Sequence, residues 1–143
     1  MQQRGPNVPQ WEQEVLQDIV AIIRNGDVSR LIEDAKKVGS AIRSVVTPTQ
    51  IRNIFGPVRH IQLRWCEDEG EEARAAFRQV MLLRPKLAYQ ARRIGRREFY
   101  SLEKVLSRAI EEIGATSEGR ERRQRFQHFL EFLEAILAYH GGQ

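Results

Sequence analysis

At 143 residues, with 41% apolar and 29% charged residues, the chain is long enough for one domain with a real core and too apolar for general disorder. A formal net charge of +4 tilts it towards an anionic partner, and Arg greatly outnumbers Lys, which suits bidentate contacts to phosphate or carboxylate. A lone cysteine (Cys66) and scattered His60, His128 and His140 exclude a disulfide framework and offer no metal-ligand spacing, while the absence of a long apolar run or a leader predicts a cytoplasmic protein with no membrane contact, metal or cofactor.

Residues 1–10 hold Gly5, Pro6 and Pro9 and read as a flexible tail, leaving 11–143 as the folded domain. The first apolar stripe is Val15, Ile19, Ile22 and Ile23, stopped at Asn25-Gly26. Asp27 can cap a second helix with the stripe Val28, Leu31, Ile32, Ala35, Val38 and Ile42. Gly39 weakens that helix or marks a close crossing with a neighbour. Thr47-Pro48-Thr49-Gln50 is a helix start: Thr47 caps, Pro48 takes the first position, and Gln50 completes a capping box. Ile51, Ile54, Phe55, Val58, Ile61 and Trp65 follow on one face, with Gly56-Pro57 predicting a kink. Arg52 and Arg59, seven residues apart, share a flank away from that stripe.

Residues 67–72, nearly all acidic, read as a solvated junction. Ala73, Phe77, Val80 and Met81 resume a helical face leading into residues 82–97, which carry Arg84, Lys86, Arg92, Arg93, Arg96 and Arg97 without one acid. If Pro85 opens a helix here, Leu87, Ala91 and Ile94 pack, while Lys86, Tyr89 and Arg93 face outward. Tyr89, beside Leu87, is expected to be packing. After Gly95, the stripe Phe99, Leu102, Leu106, Ala109, Ile110 and Ile113 runs to Gly114. Thr116 or Ser117 starts a last helix that carries two apolar stripes, one through Phe126, Phe129, Leu130, Leu133, Ile136 and Leu137, the other through His128, Phe132, Ala135 and Tyr139. A helix apolar on two sides is either central in the bundle or shared with a partner, so Phe132 and Tyr139 are candidate subunit-interface residues. With no strand pattern, the expected fold is an all-α single-domain bundle of five to six helices.

Charge is segregated along the chain: residues 36–64 and 73–97 contain no Asp or Glu, so a basic middle lies between acidic ends, as in a nucleic-acid groove.

Three segments, residues 47–55 (Thr-Pro-Thr-Gln-Ile-Arg-Asn-Ile-Phe), 82–93 and 129–140 (Phe-Leu-Glu-Phe-Leu-Glu-Ala-Ile-Leu-Ala-Tyr-His), together resemble the small subunit of the type III-A (Csm) CRISPR effector complex in wording, order and spacing. The resemblance runs from about Thr47 to the end. It implies a non-enzymatic helical subunit, present in several copies inside a ribonucleoprotein filament. Its partners would be the guide RNA and target RNA, the repeated backbone subunit, the large polymerase-like subunit, and neighbouring copies of itself. Catalysis would belong to those neighbours, so no catalytic residue is expected. The family's basic surface carries over to Arg52, Arg84, Lys86, Arg92 and Arg93; Arg59 joins them from the helix geometry.

Two other readings stand beside this one. Arg123 and His128 match the Arg-x4-His spacing of the helical HEPN ribonucleases, with His128 for acid–base work and Arg123 steadying charge. On a regular helix, however, these side chains diverge by roughly 140°. The other is a free-standing helical adaptor that binds protein and no RNA.

Overall fold

The computed structural model describes residues 8–141. The tail expected over residues 1–10 therefore falls, through residue 7, outside the described residues, as do residues 142 and 143 of the expected domain. Among the described residues the chain forms helices only: α1 (Gln10–Ile23), α2 (Val28–Ile42), α3 (Pro48–Arg64), α4 (Glu71–Ile94), α5 (Arg97–Gly114) and α6 (Gly119–His140).

The local stops and starts are those of the residues that make them. Asp27 accepts the Arg30 amide at the start of α2. Thr47 and Gln50 form the reciprocal capping box of α3, with bonds of 3.1 and 3.0 Å. Gly95 closes α4 in the left-handed conformation, at φ 69°. Helix α6 begins later than Thr116: the Thr116 hydroxyl accepts from the Glu118 amide and donates to the Glu121 carboxylate, and Glu118 occupies the cap position.

Helices α5 and α6 form the centre. Phe99, Leu102, Leu106, Ala109, Ile110 and Ile113 bury one face of α5, which touches α1, α2, α4 and α6. Helix α6 touches α1, α2, α3 and α5, which explains its two apolar stripes. Phe132 is 0% exposed and lies in this core, so the structure corrects its assignment to a subunit surface. Tyr139 is half-buried, packed against the core where α2 and α6 cross.

That crossing depends on Gly39. A Cβ there would lie 2.7 Å from the Tyr139 Cβ and 2.9 Å from both the Ile136 carbonyl and the His140 amide. Buried polar links lock the surrounding turns. The His140 Nε2–H donates to the Val46 carbonyl at 2.6 Å, and Arg24 donates to buried Glu112 at 2.6 Å, joining α1 to α5.

The α2 stripe is narrower than its sequence suggests. Val28 and Ile32 are 62% and 46% exposed, whereas Asp34 is completely buried. Asp34 lies on the opposite flank of α2, the one that α1 covers. Burial and the facing Asp18 carboxylate push Asp34 up to about 7, against the pull of Lys37 at 3.6 Å. As a carboxylate Asp34 has, among the described residues, only the Lys37 ammonium at 3.6 Å to face; as an acid it can donate to Asp18.

Two expectations follow for stability. Ala at position 39 would gain about 1 kcal/mol of helix propensity, but forcing its methyl against the α6 backbone costs about 1–3 kcal/mol. Gly39→Ala should therefore lower the urea midpoint, and an unchanged or higher midpoint would contradict the close crossing. The folded chain also holds a proton at Asp34 that the unfolded chain releases near its usual value of 3.8. This contribution is fully present below that value and is lost as pH rises through about 7. The melting temperature should fall between about pH 4 and pH 7, and Asp34→Asn should flatten that fall.

Candidate functional site

The basic segment at residues 82–97 is not a helix opened by Pro85. Helix α4 runs unbroken through it for 24 residues, about 36 Å. An interior proline removes a backbone bond and costs about 3 kcal/mol. Here the apolar period carries across it in phase, Ala76, Val80, Leu83, Leu87 and Ala91 all being buried on one face. Pro85 itself is exposed, so water can reach the carbonyl that its missing N–H leaves unpaired. Helix α3 likewise continues through Gly56-Pro57.

Helix α3 packs against α4 and α6 but leaves a cleft of about 1000 Å³ between itself and the second half of α4. Ile54 and Val58 of α3, Leu83 and Leu87 of α4, and Phe129 of α6 give it an apolar floor. Gln50, Asn53 and Gln90 add amide groups, and Lys86, Arg93 and Arg96 bring positive charge. No acidic residue lines it.

The six basic residues singled out from the sequence do not gather at one place. Lys86 and Arg93 line the cleft, and Arg92 is exposed at the end of the same helix; none of the three has an acid partner among the described residues. Arg52 is exposed, with only the Thr49 hydroxyl at 3.3 Å, and it lies on the side of α3 turned away from Ile54 and Val58. Arg59 shares that side but is held by Glu134 of α6 at 2.9 Å, with its guanidinium 5.3 Å from the Phe55 ring centre. Arg84 is similarly engaged: Glu111 lies at 2.7 Å and the Ser107 hydroxyl at 3.3 Å. These two arginines join helices.

Tyr89 is the chief correction at this site. It is 54% exposed, and the Arg93 guanidinium lies 5.9 Å from its ring centre. One turn of helix separates the two residues, so their pairing could be read from the sequence; the exposure of the ring could not. Arg74, Arg78 and Arg96 are further exposed cations on or just beyond α4 with no acid partner among the described residues. The acid-free run from residue 73 was the signal that contained them.

The pair Arg123 and His128 does not converge. Arg123 donates to the Trp65 carbonyl at 3.3 Å and to Asp68 at 3.1 Å, fastening the α3–α4 junction to α6. His128 Nδ1–H donates to the Ile23 carbonyl at 2.7 Å, closing the end of α1. Each side chain has a separate structural partner, and no common site lies between them. Of the acidic run at 67–72, Asp68 is thus engaged by Arg123, and no metal-binding group is found among the described residues.

The family model Csm2 Type III-A matches residues 25–142. The chain belongs to that family. It is a small subunit of the type III-A effector complex, and so works among other subunits of the Csm assembly. The match takes in all of α2 to α6 and leaves out α1. Neither a curated protein nor a solved structure matches the chain.

The division of charge in this Csm2-family chain has a measurable consequence. Arg59→Ala and Arg84→Ala each remove a half-exposed ion pair and should cost about 0.5 kcal/mol in urea denaturation. Lys86→Ala removes a mid-helix charge that has no acid partner among the described residues, so it should leave the midpoint unchanged or raise it slightly. Equal losses in all three variants would contradict the distinction.

Proposed function

We propose that the chain is a non-catalytic, RNA-binding structural subunit of the type III-A complex in antiviral defence, acting in the cytoplasm. It contacts the backbone of guide RNA and target RNA without reading sequence. Its neighbours are the repeated backbone subunit, the large polymerase-like subunit and further copies of itself. The observation that carries this reading is the outer face of α4. Arg74, Arg78, Lys86, Arg92 and Arg93 are all exposed along one helix with no acid among them, and Arg96 follows directly.

Phosphates repeat along a duplex whatever its sequence, so a row of fixed cations serves every guide alike. Arg52, Lys86, Arg92 and Arg93 are assigned to phosphate contact. Arg59 and Arg84 keep a secondary place, since a phosphate must compete there with Glu134 and Glu111. Half-buried Tyr139 is the remaining candidate for contact with a neighbouring subunit.

Duplex RNA should bind the isolated protein with a steep salt dependence and with indifference to base order. Replacing Lys86 or Arg93 by Ala should reduce the slope of log K against log salt by about one each. Lys86→Glu with Arg93→Glu should abolish binding while the helical circular-dichroism signal stays intact. Arg84→Ala should leave the slope unchanged. The absence of RNA association at any salt would favour the adaptor reading instead.

A further inference from the structure

The row of cations on α4 suits a duplex backbone, but a duplex makes no use of the aromatic ring, the amides and the apolar floor of the cleft that Lys86 and Arg93 edge. Paired bases are stacked inside their helix and offer no aromatic face to an apolar floor. The cleft nevertheless combines three features that a phosphate alone would not need.

The first is Tyr89, which lines the cleft and remains 54% exposed. The Arg93 guanidinium lies 5.9 Å from its ring centre, and more than half of the residue stays accessible to a stacking partner. The second is the pair of amides, Asn53 on α3 and Gln90 on α4, which have no hydrogen-bond partner among the described residues. Each offers a donor and an acceptor side by side, as base edges do. The third is the apolar floor formed by Ile54, Leu87 and Phe129. The volume of about 1000 Å³ lies at the upper end of the range for small-molecule sites.

We propose that the cleft between α3 and α4 holds a nucleotide from an unpaired position of RNA, with its base stacked on Tyr89 and its phosphate held by Lys86, Arg93 and Arg96. The proposal rests on the RNA-binding reading and adds to it a preference for duplexes that contain an unpaired base. Stacking is tolerant of base identity because every base has a π face, while the amides rotate to meet different edges. An acidic helix from a partner protein would match the cations but would leave the two amides facing a surface with no repeating need for them. A nucleotide uses the aromatic face, the amides and the charge together.

Two hairpin RNAs, identical except for one bulged 2-aminopurine, provide the test with the full-length protein. The bulged hairpin should bind about fivefold or more tightly than the fully paired one, the gain expected from one base–aromatic stack. Its 2-aminopurine fluorescence should fall on binding. Tyr89→Ala should erase the gain and the quenching while leaving the paired hairpin bound as before, and Tyr89→Phe should keep both. Tyr89 is exposed, so neither replacement disturbs the core.

Equal affinity for the two hairpins, or an equal loss for both in Tyr89→Ala, would overturn the nucleotide site and leave duplex binding standing. Failure of both hairpins to bind would overturn the RNA reading and this proposal together. AMP is the second probe: Tyr89-dependent binding of AMP with no gain from the bulge would overturn RNA as the source. Displacement of the bulged hairpin by an acidic helical peptide with equal loss in Tyr89→Ala would assign the cleft to a protein partner and overturn the proposal.

Discussion

Gly39 lets the backbone of α2 lie directly against α6, and much of the remaining architecture depends on that approach. With α6 held there, its second apolar stripe is covered from within the chain, and Phe132 becomes core. The end of α6 is then near enough for His140 to hold the Val46 carbonyl, while Arg43 reaches the Tyr139 carbonyl at 3.0 Å. These two bonds set where the chain leaves α2 and therefore where α3 begins. Helix α3 is left with α4 and one side of α6 as its main supports. The bundle is tightly closed around α5 and α6 and open between α3 and α4.

The distribution of acids gives that opening its character. Glu134, Glu111 and Glu112 are placed on α5 and α6, and they hold Arg59, Arg84 and Arg24 as ties between helices. None reaches the outer half of α4. The same residue type thus has two functions in one chain, decided by what stands opposite it. Arg59 and Arg84, facing α6 and α5, find carboxylates, whereas the arginines on the outer side of α4 have no acid partner among the described residues. The cleft's charge is a product of helix packing as much as of composition.

Much of this was legible in the sequence because it rests on local rules. The capping box at Thr47 and Gln50, the stop at Gly95 and the stripe of α5 each need only a few neighbouring residues to be specified. Gly39 could also be recognised as a tight crossing, though the helix it met could not. Features that depend on which helix covers which flank were hidden. Asp34 looks like a surface acid until α1 lies over it, and Val28 and Ile32 look like core until nothing does. Tyr89 belongs to the same class, since a ring between Leu87 and Ala91 can turn inward or outward. Pro85 differs from its local reading for another reason: the apolar period that continues straight through it outweighs the local rule for proline.

The basic residues of α4 also have a bland explanation, and the helix itself shows how far it extends. Cations in the last turn of a helix are stabilised by the macrodipole, which accounts for Arg92 and Arg93 without any ligand. That effect is confined to the end of the helix. Arg74 and Arg78 lie in its first half, where the dipole gives them no such support, and they stand four residues apart on one face. Like charges at that spacing destabilise a helix by a few tenths of a kcal/mol. A polyanion laid along α4 would reverse the sign of that repulsion. For a subunit working within a larger assembly, many small gains of this kind add without requiring a strong site in any single copy.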